Sequence, residues 1–180
     1  DRVFRDVLVG PDHWLVYATP RSMDKFQNFH PLTEAELTTY EKSLLDFQML
    51  VEANGAHLLF VAAPYKNTIY PEFVPAEIQP FGQVSRLDQI LDRIARQPSI
   101  QTLDLRPALL AAKQDAQIYY STDTHWNDLG GFAAYRAILD SLQPTFLQLS
   151  PRSISDYEIS MQTPKIMDLS FIIGSTSLAE

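Results

Sequence analysis

Residues 55–64, GAHLLFVAAP, set a nearly continuous apolar run between a glycine and a proline. Eight such residues are too few for a typical helix, and they lack the polar alternation of a strand with one wet face. The run Ala56–Ala63 therefore reads as a strand buried on both faces, the kind found in parallel sheets. His57 at its start reads as a core histidine.

The flanking segments agree with that reading. Upstream, Thr33 and Glu36 stand three apart, the spacing of a capping box. A helix is expected from there to Gly55, with Leu37, Tyr40, Leu44, Phe47, Leu50 and Val51 on one stripe. Downstream, residues 84–96 carry Leu87, Ile90, Leu91 and Ile94 at helical spacing. Ile100–Leu105 is a second strand candidate, and Pro107 opens a short helix, as proline at a first helical position does. Residues 117–121 read as extended. A last helix over 129–142 turns Leu129, Phe132, Ile138, Leu139 and Leu142 inward. Helices alternating with apolar strands predict an α/β fold with three α/β/α layers and a mostly parallel central sheet.

The ends are less regular. Residues 3–9 and 14–18 are β-prone and separated by Gly10 and Pro11, so residues 1–18 are expected to form an N-terminal hairpin. Residues 19–32 are expected to be loop. From Pro144 to the end the pattern decays into an irregular tail, 144–180. Neither a repeat nor a low-complexity tract occurs, so the 180 residues are read as one domain.

Composition narrows the function. With 14 basic and 22 acidic residues, the net charge is −8. No basic cluster offers a phosphate footprint, so no nucleic-acid partner is expected. There is no cysteine, which removes disulfides, thiolate nucleophiles and Cys-based zinc sites together. No run approaches a membrane span of roughly 18 apolar residues. Because the chain starts at Asp1 and stops just after an apolar stretch, both ends are expected to be interior to a longer protein, with an N-terminal segment removed.

The most informative chemistry lies in Tyr119–Gly131, YYSTDTHWNDLGG. Asp123 and His125 are two apart, and in an extended backbone residues i and i+2 project to the same side. Asp123 would then accept the Nδ1–H of His125 and leave Nε2 outward as a general base. The pattern is short, and a surface pair, a helix cap or a metal site each fit it. A metal site would need further ligands; His13 and His30 lie in loops without ligand spacing. Asn127 or Asp128 is a natural N-cap. Gly130 and Gly131 together cost a helix about 1 kcal/mol each relative to alanine, so something is expected to approach that backbone closely. Trp126 either walls the site or packs.

The segment 119–139, YYSTDTHWNDLGGFAAYRAIL, resembles the signature of the alginate O-acetyltransferase AlgJ/AlgX-like (DHHW) family, whose fold is SGNH-hydrolase-like. Other blocks are similar in order and spacing: WLVY (14–17), AAPYKNTIYPEFVP (62–75), LDLRPALLAAK (103–113) and MDLSFIIG (167–174). In the WLVY block His13 stands where the family has glycine. The resemblance implies that Asp123 and His125 are the catalytic acid and base of a Ser-His-Asp triad. It implies a circularly permuted order in which the serine follows, in a Gly-Asp-Ser motif. The sequence holds no Gly-Asp-Ser; Gly174-Ser175-Thr176-Ser177 lacks the aspartate and comes too early. These 180 residues alone are therefore expected to be inactive and truncated before the nucleophile.

The resemblance further implies ping-pong acyl transfer from an acyl donor to a bacterial polysaccharide acceptor, without a cofactor or metal. It implies membrane-bound O-acyltransferase machinery as a partner and a periplasmic or otherwise extracytoplasmic site. Lys66, Tyr70 and Tyr120 fall in loops at one sheet end and, with Trp126 and Asn127, are the candidate substrate-binding residues. A second reading is a carbohydrate-binding or scaffold protein that has lost the serine and stacks Tyr65, Tyr70, Tyr119, Tyr120 and Trp126 on sugar rings.

Overall fold

Two parallel strands carry the centre of the molecule. A computed structural model describes residues 3–4, 6–160 and 167–175. In it β4 (Leu59–Ala62) pairs in parallel with β5 (Gln101–Asp104), Leu59 opposite Gln101 and Ala62 opposite Asp104. The crossover between them holds the short helix α3 (Lys66–Ile69) and the amphipathic α4 (Arg86–Ile94). Helix α2 (Glu34–Ala53) packs on α4. Helix α5 (Arg106–Ala112) packs on α6 (Asp128–Leu142).

Local signals explain the helix starts. Thr33 accepts the Glu36 N–H and Glu36 accepts the Thr33 N–H, the predicted capping box. Ser85 and Asp88 repeat it at α4, and Pro107 sits in the first turn of α5 as expected. Residues 19–32 are not the loop expected: α1 (Pro20–Phe26) begins there, with Thr19 as N-cap and Pro20 in the first turn. That is the ordinary helix-start chemistry, set in a segment without a clear apolar stripe.

The N-terminal segment is a three-stranded antiparallel meander, not a simple hairpin. In it β1 (Val3–Phe4) pairs with β2 (Val7–Val9), and β2 with β3 (Leu15–Tyr17). Its core of Val7 and Leu15 is closed by Leu169 from α7 (Asp168–Ile172), all at 0% exposure. The tail thus returns to the N-terminal sheet. Thr176 and Ser177 of the Gly-Ser-Thr-Ser run lie outside the described residues.

The main cluster joins Trp14, Ile69, Tyr70, Leu105, Leu109, Ile118, Tyr119 and Ala134. Not every predicted inward residue reaches it. Leu129 and Ile138 of α6 do, but Phe132 meets the Tyr135 ring at a tilt and the Tyr157 ring edge-on instead. On α2, Leu37 is buried while Tyr40, Phe47 and Leu50 are exposed. The buried position in the middle of α2 is Gln48, whose amide donates to the Ser99 carbonyl. Among the described residues the parallel sheet is two strands wide. Leu59 to Val61 are accordingly half-buried, and β4 is not the fully enclosed strand expected. His57 precedes β4, is exposed, and meets the Phe146 ring edge-on; it is not a core residue.

Candidate active site

Residues 119–126 form a tight hairpin, with Tyr119 bridging Trp126 in antiparallel fashion and Thr122–Thr124 near its tip. Asp123 is not in the extended conformation expected from its spacing to His125. It accepts the His125 backbone N–H at 2.9 Å through Oδ1, closing an Asx-type turn. The same oxygen lies 2.7 Å from His125 Nδ1. The pairing read from the sequence is therefore present, made by a turn rather than a strand. The Asp123 side chain is 11% exposed and that of His125 77%. With Nδ1–H given to the carboxylate, Nε2 is the basic nitrogen, and among the described residues no hydrogen bond falls on it.

Burial works against ionisation of Asp123, but the His125 N–H, the His125 ring and the Asp168 N–H outweigh it. Its carboxyl is held below the ordinary aspartate value. Asp123 is thus ionised at neutral pH.

Three elements hold this loop. The Leu15 N–H of β3 donates to the Ser121 carbonyl at 2.9 Å. In the first turn of α7, the Leu169 and Ser170 N–H groups donate to Thr122, and the Asp168 N–H reaches Asp123 Oδ2 at 3.3 Å. From below, Lys66 donates to the carbonyls of Tyr120 and Ser121, each at 3.1 Å, and of Asp123 at 2.5 Å. Its ammonium also lies 5.3 Å above the Trp14 ring, which stacks on Phe73. At 4% exposure Lys66 is a buried cation satisfied by carbonyl dipoles and an aromatic face.

The other candidate binding residues also take structural posts. Tyr70 is 5% exposed, and its hydroxyl accepts the Ile118 N–H at 3.0 Å, so it is a core residue and not a pocket wall. Burial raises its pKa, and that of Tyr119, whose hydroxyl donates to Pro64. Tyr120 is half-buried and contributes its carbonyl to Lys66. Trp126 is half-buried and packs on the main cluster. Asn127 caps α6, accepting from the Gly130 N–H and donating to the Gln117 carbonyl. Of the five tyrosine and tryptophan residues offered for sugar stacking, Tyr70 and Tyr119 are enclosed and Tyr65 is 63% exposed.

The close approach expected at the paired glycines occurs at Gly130. A Cβ there would lie 2.3 Å from the Ile118 carbonyl oxygen; at Gly131 the nearest atom would be 3.7 Å away.

Sequence reasoning missed Asp168. Its carboxylate accepts the Thr124 N–H at 2.9 Å and the Thr124 hydroxyl at 2.5 Å, and one oxygen lies 3.8 Å from His125 Nδ1. The available signal was local: an acidic residue opening a helix whose third residue, Ser170, accepts the Met167 N–H. Asp123, His125 and Asp168 are close enough to share a cation. Each carboxylate, however, already accepts backbone N–H groups, and Nδ1 faces Asp123 at hydrogen-bond distance. That is the arrangement of an oriented imidazole. A cleft of about 860 Å³ runs past Tyr65, Lys66, Asn67, Arg86 and Arg106 to Thr124 and Asp168, so Lys66 both braces the loop and borders the cleft.

Comparison with known proteins gives the family and the fold. Residues 7–177 match the family described as SGNH hydrolase-like domain, acetyltransferase AlgX. The chain is 30% identical over 128 residues to the probable alginate O-acetylase AlgJ of Pseudomonas syringae pv. tomato, covering 71% of this chain and 31% of that protein. It is 27% identical over 142 residues to the Pseudomonas aeruginosa AlgJ, covering 78% and 34%. The chain thus spans about a third of the length of these curated relatives. Among solved structures, the O-acetyltransferase domain of Pseudomonas putida AlgJ superposes with a TM-score of 0.62 at 21% identity, over 92% of this chain and 57% of that one. PatB1 of Bacillus cereus gives 0.59 at 17%, over 84% and 47%. These likenesses show a shared α/β fold, which the matching family describes as SGNH-hydrolase-like.

Proposed function

The chain belongs to the family of SGNH hydrolase-like domains of the acetyltransferase AlgX, and from that premise we propose that it supplies the acid–base pair of a serine-dependent O-acetyl transfer to a polysaccharide hydroxyl. The observation that carries this reading is the 2.7 Å contact between a buried Asp123 carboxylate and Nδ1 of a solvent-facing His125. The nucleophilic serine comes from residues other than these 180, which contain no Gly-Asp-Ser.

In this mechanism His125 Nε2 takes the serine hydroxyl proton as the oxygen adds to the acetyl carbonyl of the donor. The tetrahedral intermediate collapses when Nε2–H returns that proton to the leaving group, leaving an acetyl-serine. A sugar hydroxyl then loses its proton to Nε2 and attacks the ester, and the proton passes back to the departing serine oxygen. Asp123 stays ionised throughout and stabilises the imidazolium. Membrane-bound O-acyltransferase machinery supplies the acetyl group, which puts the reaction outside the cytoplasm.

The test uses the complete gene product containing this segment, with an acetylated chromogenic ester as donor and an alginate oligomer as acceptor. His125→Ala should cut kcat by about 10²–10⁴-fold, in both hydrolysis and transfer. Unchanged turnover in that variant would sink the assignment.

A further inference from the structure

The Asp123 carboxylate and the Asp168 carboxylate hold each other's chain segments. Asp123 Oδ2 accepts the backbone N–H of Asp168, while Asp168 Oδ1 accepts the backbone N–H of Thr124, the residue between Asp123 and His125. The second Asp168 oxygen takes the Thr124 hydroxyl, and that hydroxyl oxygen lies 3.2 Å from His125 Nδ1. The segment carrying Asp168 is itself fixed: Leu169 and Ser170 are both 0% exposed, and Leu169 packs on Val7 and Leu15. The acid–base turn is thereby pinned to a rigid wall of the N-terminal sheet.

This matters because an Asx turn alone leaves two soft degrees of freedom. One is rotation of the Asp123 carboxylate about its own bond. The other is a swing of the Thr124 peptide, which would carry the ring off line. The Asp168 N–H blocks the first by occupying the oxygen that does not hold the imidazole. The Asp168 carboxylate blocks the second by gripping Thr124 at two atoms.

We propose that Asp168 is a positioning residue of the acyl transfer, fixing the orientation of His125 through Thr124. The inference rests on the function proposed above for Asp123 and His125. Displacing a base by about 1 Å costs on the order of 10²-fold in rate, so loss of this grip should appear in kcat, with KM little changed.

The test measures ester hydrolysis by the complete gene product. Asp168→Ala should lower kcat about 10–100-fold. Asp168→Asn, which keeps an acceptor for the Thr124 N–H and a partner for its hydroxyl, should recover most of that loss. Thr124→Val removes the hydroxyl, with its approaches to Asp168 and His125, but keeps the Thr124 N–H grip, and should lower kcat several-fold, so the idea stays testable if the alanine variant does not fold. In a His125→Ala background Asp168→Ala should cost nothing more, whereas a residue serving only fold stability would still lower the residual rate. Wild-type kcat in Asp168→Ala or Thr124→Val, or an asparagine variant as impaired as the alanine one, overturns the positioning role. If His125→Ala is itself fully active, the underlying function fails first, and the two failures are told apart.

Discussion

Lys66 donates to the carbonyl oxygen of Asp123 at 2.5 Å, from beneath the turn that carries the acid–base pair. A buried ammonium on three carbonyls of one loop is a strut whose removal strands acceptors away from water. Lys66→Met should lower unfolding free energy by about 2–4 kcal/mol, the cost of unsatisfied buried acceptors. Denaturant titration followed by circular dichroism measures it. Lys66→Arg should not restore stability, because a planar guanidinium cannot reproduce a compact ammonium over the Trp14 face. A stability equal to the parent in Lys66→Met would remove the strut role and leave only its place at the cleft.

Protonation offers a second handle. Asp123 has a folded pKa below its ordinary value, so its ionised form is favoured by the fold. The stabilisation is complete above the unfolded value of about 4 and is lost as pH falls through the lower folded value. The urea midpoint of the parent should therefore drop towards that of Asp123→Asn as pH is taken from 6 to 2. The gap between them should be widest near neutrality. A gap that stays constant across the range would mean the carboxylate gains nothing from His125 and Asp168.

How far the sequence announces this site depends on whether each contact is local. Thr33 with Glu36 and Asn127 with Gly130 are three residues apart, and both caps were legible. Asp123 and His125 are two apart, so their pairing was legible too, although the turn that makes it was not. Asp168 meets Thr124 across 44 residues, and no periodicity reports such a contact. Lys66 misleads in another way: a lysine in a polar loop is ordinarily solvated, whereas here loop carbonyls and the Trp14 ring accompany its burial. The α2 stripe failed because Gln48, a polar residue, takes the buried position through the Ser99 carbonyl. Apolar spacing cannot anticipate that exchange.

Tyr70 separates packing from binding. Its hydroxyl holds the Ile118 N–H in the core, so Tyr70→Phe should cost about 1–2 kcal/mol, the price of a buried donor left unpaired. KM for ester or glycan should not move. A raised KM at unchanged stability would show that the hydroxyl reaches substrate after all.

The paired glycines of α6 give a contrast within one turn of helix. At Gly130 an added Cβ would lie 2.3 Å from the Ile118 carbonyl oxygen and 2.8 Å from the Trp126 Cβ, neither of them the far end of a flexible chain. Gly130→Ala must push α6 away from the hairpin that presents His125, and should destabilise by about 1–3 kcal/mol, as overpacking does. At Gly131 the nearest atom is the Trp126 indole nitrogen at 3.7 Å, an ordinary contact. Gly131→Ala should instead gain up to about 1 kcal/mol from reduced backbone entropy in the unfolded chain. Thermal unfolding of the two single variants, run side by side, should move in opposite directions. Equal losses at both positions would mean that the helix start, and not the approach to Ile118, sets the requirement for glycine.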